Sequence, residues 1–84
     1  LAVDLVAYVG PNVTWSLNKY DEIADAMADA AVVHSVPIKW GAAWSVGDIA
    51  SYKGSMEDAM NEYVDLRRSQ GRRPFIDAPH FEMM

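Results

Sequence analysis

Two stretches near opposite ends of this 84-residue chain hold residues that could do chemistry. Asp4 is flanked by Ala2, Val3, Leu5 and Val6, neighbours that would bury it. An isolated buried carboxylate is costly enough to protonate, pair with a cation or bind a metal. The plainer alternatives are an arginine partner, an exposed strand end or a structural hydrogen-bond acceptor. At the other end, Asp77-Ala78-Pro79-His80-Phe81-Glu82 carries a carboxylate, an imidazole and a second carboxylate. Strand alternation puts His80 and Glu82 on one face and Phe81 on the other. A carboxylate and an imidazole converging on one site is the arrangement needed when a metal-bound water must be deprotonated beside a ligand. A lone histidine near a terminus is, in the plainer reading, simply solvated.

Trp40 and Trp44, in W-G-A-A-W, read first as core or lid packing and second as walls of a substrate cleft. Gly41 between them permits close backbone approach. His34 falls at the end of a helical pattern, where a positive charge meets the negative end of the dipole. Arg67, Arg68, Arg72 and Arg73 read the same way, with an anionic substrate as the functional alternative. Phosphate-binding glycine loops, a nucleophilic cysteine and a serine triad are all missing from the pattern.

The elements that must position these residues follow from periodicity. Leu1 to Val9, rich in Val, Leu and Tyr and closed by Gly10-Pro11-Asn12, predicts a strand, and its apolar continuity predicts an internal one. Leu17, Tyr20, Ile23, Ala24, Met27, Ala30 and Ala31 recur at helical steps, with Asp21, Glu22, Asp25 and Asp29 between them. This predicts an amphipathic helix from about Ser16 to His34, capped by Thr14 or Ser16 and ended by Ser35-Val36-Pro37. Pro37 to Gly41 predicts a short strand, Gly47 to Gly54 a loop. Ser55-Met56-Glu57-Asp58 is a capping-box pattern opening a second helix that ends near Gly71. A final strand follows the approach through Asp77. Strand, helix, strand, helix, strand implies an α+β domain, a small antiparallel sheet packed with two helices.

Composition bounds the possibilities. Twelve acidic against seven basic side chains leave a net charge of −5, which argues against a nucleic-acid binder, since phosphate contacts need a broad basic face. No apolar stretch approaches the ~20 residues of a transmembrane segment. One domain is the most this length supports, and with no cysteine any covalent or ionic staple is a metal or another chain.

With A-V-D-L at one end, W-G-A-A-W in the middle and D-A-P-H-F-E at the other, the chain resembles the M15 family of zinc peptidases. It is most similar to phage endolysins and bacterial wall hydrolases that act as L-alanyl-D-glutamate peptidases, relatives of the D-alanyl-D-alanine carboxypeptidases. The resemblance covers essentially the whole chain. It implies a Zn2+ cofactor with Asp4 as the carboxylate ligand and His80 as the C-terminal histidine ligand. Asp77 corresponds to the acid/base that activates the zinc-bound water, and Trp40 and Trp44 to tryptophans near the cleft. Glu82 is expected to orient His80. The family pattern W-G-G-x-W has glycine where Ala42 stands, and the helix between Trp44 and Asp77 has the look of an insertion. Relatives also carry S-x-H-x-x-G-x-A-x-D, whose histidine is a further zinc ligand, and this sequence starts after that glycine. Residues 1–84 are therefore expected to be the C-terminal part of a single peptidase domain.

The implied function is zinc-dependent hydrolysis of the L-alanyl-D-glutamate bond in peptidoglycan stem peptides, by a monomer. An endolysin of this kind stays in the host cytoplasm until released to the cell wall. The alternative is a non-catalytic binding module, derived from such a peptidase, that holds wall peptides or a protein partner. A fragment without a stable fold of its own is the third possibility.

Overall fold

In a computed structural model, which describes residues 2–83, the element predicted over Leu1 to Val9 divides in two; Leu1 itself lies outside the described residues. Strand β1 (Ala2–Asp4) is followed by β2 (Ala7–Val9), which turns at Gly10-Pro11 into β3 (Asn12–Thr14). The break at Leu5-Val6 comes from partners distant in sequence. Leu5 N–H still donates to the Pro79 carbonyl at 2.8 Å, but Pro79 has no N–H to return the bond, and the pairing of β1 ends there. Ala7 N–H instead donates to the Tyr20 hydroxyl at 3.2 Å, and that hydroxyl donates to the Thr14 carbonyl at 2.8 Å. The β2–β3 hairpin is thus tied to the first helix rather than to the main sheet.

Helix α1 (Leu17–His34) follows its apolar period, burying Tyr20, Ala24 and Ala31. Ser16 occupies the N-cap position without bonding a helix N–H, because its hydroxyl goes to the Asn18 side chain. The helix closes at Ser35, whose left-handed φ of 55° sends the Val36 N–H back to the Ala31 carbonyl. One feature overturns the simple amphipathic reading: Asp21 is buried at 8% exposure, and Asp25 Oδ1 accepts the Met56 N–H at 2.8 Å. That pair of acids faces the second helix, not solvent.

Strand β4 (Ile38–Trp40) comes next, then a single 3₁₀ turn (Ile49–Ser51) within the predicted loop. Asp48 joins the two, its Oδ1 accepting the Ile38 and Ala50 N–H groups and its Oδ2 the Ser51 hydroxyl, all at 3.0 Å. Burial alone would raise its pKa, but these three hydrogen bonds outweigh that and hold the carboxyl below the usual range. Helix α2 (Met56–Ser69) opens on the expected capping box, with Ser55 and Asp58 exchanging side-chain and backbone bonds. Beyond its C-cap, Gly71 adopts φ +69°, the left-handed conformation at which glycine escapes the Cβ clash. This helix gives Met56, Ala59 and Met60 to the core, so it is no appendage.

Strand β5 (His80–Met83) lies in the middle of the three-stranded antiparallel sheet, in the order β1-β5-β4. The α+β architecture stands, but β1 is an edge strand, exposed throughout, where an internal strand was expected. Opposite each other in the register, Trp40 and Phe81 stack with centroids 6.3 Å apart, and both are fully buried beside Ile49 and Met56. Burying a side chain of this size stabilises the fold by about 2–3 kcal/mol. Strands β4 and β5 are therefore anchored to one core. No helix among the described residues is long and apolar enough to cross a membrane.

Candidate metal and catalytic site

The register of β1 against β5 sets Asp4 directly opposite His80, although 76 positions separate them. His80 Nδ1 lies 3.1 Å from Asp4 Oδ1, and Nε2 lies 2.8 Å from Glu82 Oε1. Glu82 reaches the ring because alternation along β5 places it on the face of His80, while Phe81 turns into the core. Asp77 completes the group: one ligand atom from each of Asp4, Asp77 and His80 falls within 4.8 Å of the others. The Glu82 hydrogen bond raises the His80 pKa, burial opposes it, and Asp4 adds to the rise through its own bond and charge. A cation binds at Nδ1 only when that nitrogen carries no proton.

Asp77 and His80 are held by an unusually well-bonded turn. His80 N–H donates to the Asp77 carbonyl at 3.0 Å. Gly41 clamps both ends, accepting the Asp77 N–H and donating to the His80 carbonyl, each at 2.8 Å. The Trp40 indole N–H donates to the Ala78 carbonyl at 2.8 Å, and Leu5 N–H fixes the carbonyl of Pro79. A Cβ on Gly41 would stand 2.1 Å from the Asp77 carbonyl oxygen and 3.0 Å from the His80 Cβ. Only glycine lets the two segments lie this close. The neighbouring Ala42, where the resembled pattern has glycine, fits its methyl into the core without surface exposure.

One expectation needs correction. Asp4 is not buried by its apolar neighbours; its side chain is 65% exposed because β1 is an edge, and its interest lies in its pairing with His80. For Trp40 the first reading, core packing, holds over the second, a cleft wall: it has no exposed surface and donates from the core to the Ala78 carbonyl. Trp44 does border the site, its ring 5.6 Å from that of His80. Its indole N–H is buried without an acceptor among the described residues. His34 is exposed at the end of α1 and is not part of the cluster. Phe75, which the sequence did not single out as a site residue, stacks on Trp44 at 6.4 Å and is 63% exposed. An aromatic residue just ahead of Asp77, after a proline, was the available signal.

Imidazole nitrogen and carboxylate oxygen together suit a borderline divalent ion, zinc among them. Were Asp77 kept for proton transfer, Asp4 and His80 could offer two of the three protein ligands normal in a catalytic zinc site.

A family profile describing phage L-alanyl-D-glutamate peptidases matches residues 1–84. Neither the curated proteins nor the solved structures give a significant match. Since the profile runs through the Asp4 strand, the tryptophan segment and the Asp77–Glu82 turn alike, the chain belongs to the phage L-alanyl-D-glutamate peptidase family.

Proposed function

We propose that this chain carries the reaction centre of a zinc-dependent peptidoglycan peptidase that hydrolyses the L-alanyl-D-glutamate bond of stem peptides. The observation that supports this most directly is the convergence of Asp4, Asp77 and His80 from opposite ends of the chain. Asp4 and His80 hold the zinc ion, and Glu82 on Nε2 keeps the His80 ring turned so that Nδ1 faces it. Bound there, zinc supplies a Lewis acid that polarises the scissile carbonyl and acidifies water.

The Asp77 carboxylate takes a proton from the attacking water as its oxygen bonds to the carbonyl carbon. It then hands that proton to the departing nitrogen as the C–N bond breaks. The clamp from Gly41 fixes the backbone that carries this carboxylate, which narrows the positions from which it can act.

The test is release of new amino groups from purified cell walls by the intact protein that contains residues 1–84. Chelator treatment should abolish release and added zinc should restore it. Asp77→Asn should retain zinc and lose release by about 10²-fold or more. Absence of zinc-dependent release would overturn the proposal.

A further inference from the structure

Lys39 sits in the middle of β4 between Ile38 and Trp40, which are both buried, while Lys39 itself is half-buried. Alternation therefore turns it to the opposite face of the sheet, the face that carries His80 and Glu82. The register sets Lys39 directly across from Glu82, which makes it the diagonal neighbour of His80, two positions back along β5. Diagonal neighbours stand ~7–8 Å apart, a gap that long side chains span. A flexible lysine stem of about 6 Å brings its ammonium within reach of the imidazole and its partners.

The charges around it make this placement informative. Across β1, β4 and β5 the permanently charged side chains among the described residues are Asp4, Glu82 and Lys39, and Asp77 adds another carboxylate at the turn. Lys39 makes no ion pair among the described residues, and Glu82 Oε1 is already taken by His80 Nε2 at 2.8 Å. An anionic ligand arriving at this face meets carboxylates, and like charges brought together cost binding energy. Lys39 is the cation on the sheet that offsets that repulsion.

We infer that Lys39 binds the free carboxylate of the D-glutamate residue and thereby selects for it. The inference rests on the stem peptide being the substrate. Glutamate has two carboxyl groups, and incorporation through one leaves the other free and anionic. Only a few bonds separate that group from the scissile nitrogen, a span of about 5 Å or less. The Lys39 ammonium reaches the space beside His80 on the same scale, so a single substrate residue can have its nitrogen at the reaction centre and its carboxylate on Lys39. The contact is a charge-assisted hydrogen bond from one of three ammonium donors.

Peptide hydrolysis by the intact protein that contains residues 1–84 tests this, with one peptide containing L-alanyl-D-glutamate with its free carboxylate and a second with that carboxylate converted to the amide. The parent should favour the carboxylate form by about 10-fold in kcat/KM, mostly through KM, the usual range for a hydrogen bond to a charged group. Lys39→Gln should abolish that preference by impairing the carboxylate form alone, and Lys39→Arg should keep it. Because the ratio is read within each variant, partial unfolding, which lowers both peptides alike, cannot imitate the expected loss. A parent without preference, or a Lys39→Gln variant that keeps it, overturns the inference. So does a Lys39→Gln variant that impairs both peptides equally with a displaced pH profile, which would mark Lys39 as a partner of Glu82 only. Calorimetric titration with the same peptides separates this inference from the peptidase reading. A carboxylate preference that is lost in Lys39→Gln, without any hydrolysis by the parent, leaves the subsite standing and removes the peptidase reading; hydrolysis without preference does the reverse.

Discussion

Replacing Gly41 by alanine tests the claim that backbone proximity builds the site. The added Cβ would lie 2.1 Å from the Asp77 carbonyl oxygen, whereas even close carbon–oxygen contacts sit at ~3.3–3.6 Å. The obstruction is backbone, so no side-chain rotation relieves it, and the two segments must separate by roughly 1 Å or more. Separation strains both Gly41 bonds, to the Asp77 N–H and the His80 carbonyl. Two hydrogen bonds at about 1 kcal/mol each, with overpacking of about 1–3 kcal/mol, give an expected loss of about 3–5 kcal/mol. At about 4–8 °C per kcal/mol for a domain of this size, the melting temperature should fall by about 12–40 °C. A displacement of that size should also lower hydrolysis by ~10²-fold in whatever fraction remains folded. Gly47 is the internal control: a Cβ there meets nothing within 4 Å and the backbone is not left-handed, so Gly47→Ala should melt like the parent. Thermal melts followed by circular dichroism, with zinc titration by calorimetry, make the comparison. If Gly41→Ala melted with the parent and bound zinc equally well, the clamp would have no such role.

Three other substitutions probe separate contacts. Burial, then the nearby charges of Glu57, Asp25 and Glu22, raise the Asp21 pKa above 3.8, so the folded state holds this proton more tightly than the unfolded chain. Its contribution is complete below pH 3.8 and is lost as pH rises through the folded value; Asp21→Asn should therefore gain stability relative to the parent as pH rises, in denaturant titrations across that window. Asp48→Ala removes three hydrogen bonds linking β4 to the following turn and should cost about 1–3 kcal/mol at neutral pH. Because the Asp48 pKa is lowered, the parent's advantage should shrink as pH falls below 3.8 through the folded value. Glu82→Gln keeps the shape of the partner on His80 Nε2 but removes its charge, and should weaken zinc affinity by about 10–100-fold in chelator competition without lowering the melting temperature of the metal-free chain.

Local signals in the sequence were reliable. The capping box at Ser55 and Asp58 needs only neighbouring residues, and α2 begins where it predicts. The face shared by His80 and Glu82 follows from alternation within one strand. What could not be read depends on distant partners. The run from Ala2 to Val9 carries no mark at Leu5 and Val6, because the break there is made by Pro79 and Tyr20. Asp4 is exposed for a reason set by strand order, and its neighbours' hydropathy pointed the other way. Asp21 and Asp25 are indistinguishable in sequence from solvated helix acids until α2 is seen to dock against them. Trp40 and Trp44 share a motif, yet one is core and the other borders the site, a division made by the stacking of Phe81 and Phe75.

The edge position of β1 has a kinetic consequence. This strand has three residues, pairs on one side only among the described residues, and carries Asp4 at its end. Strands of that kind open locally far more often than the core unfolds. A cation shared by Asp4 and His80 would close a loop of 76 positions and act as a clasp between the two ends of the chain. Its residence time would be governed by the fraying of β1 rather than by global unfolding, so mutations that strengthen only this edge would slow metal exchange while leaving the equilibrium of the core nearly untouched.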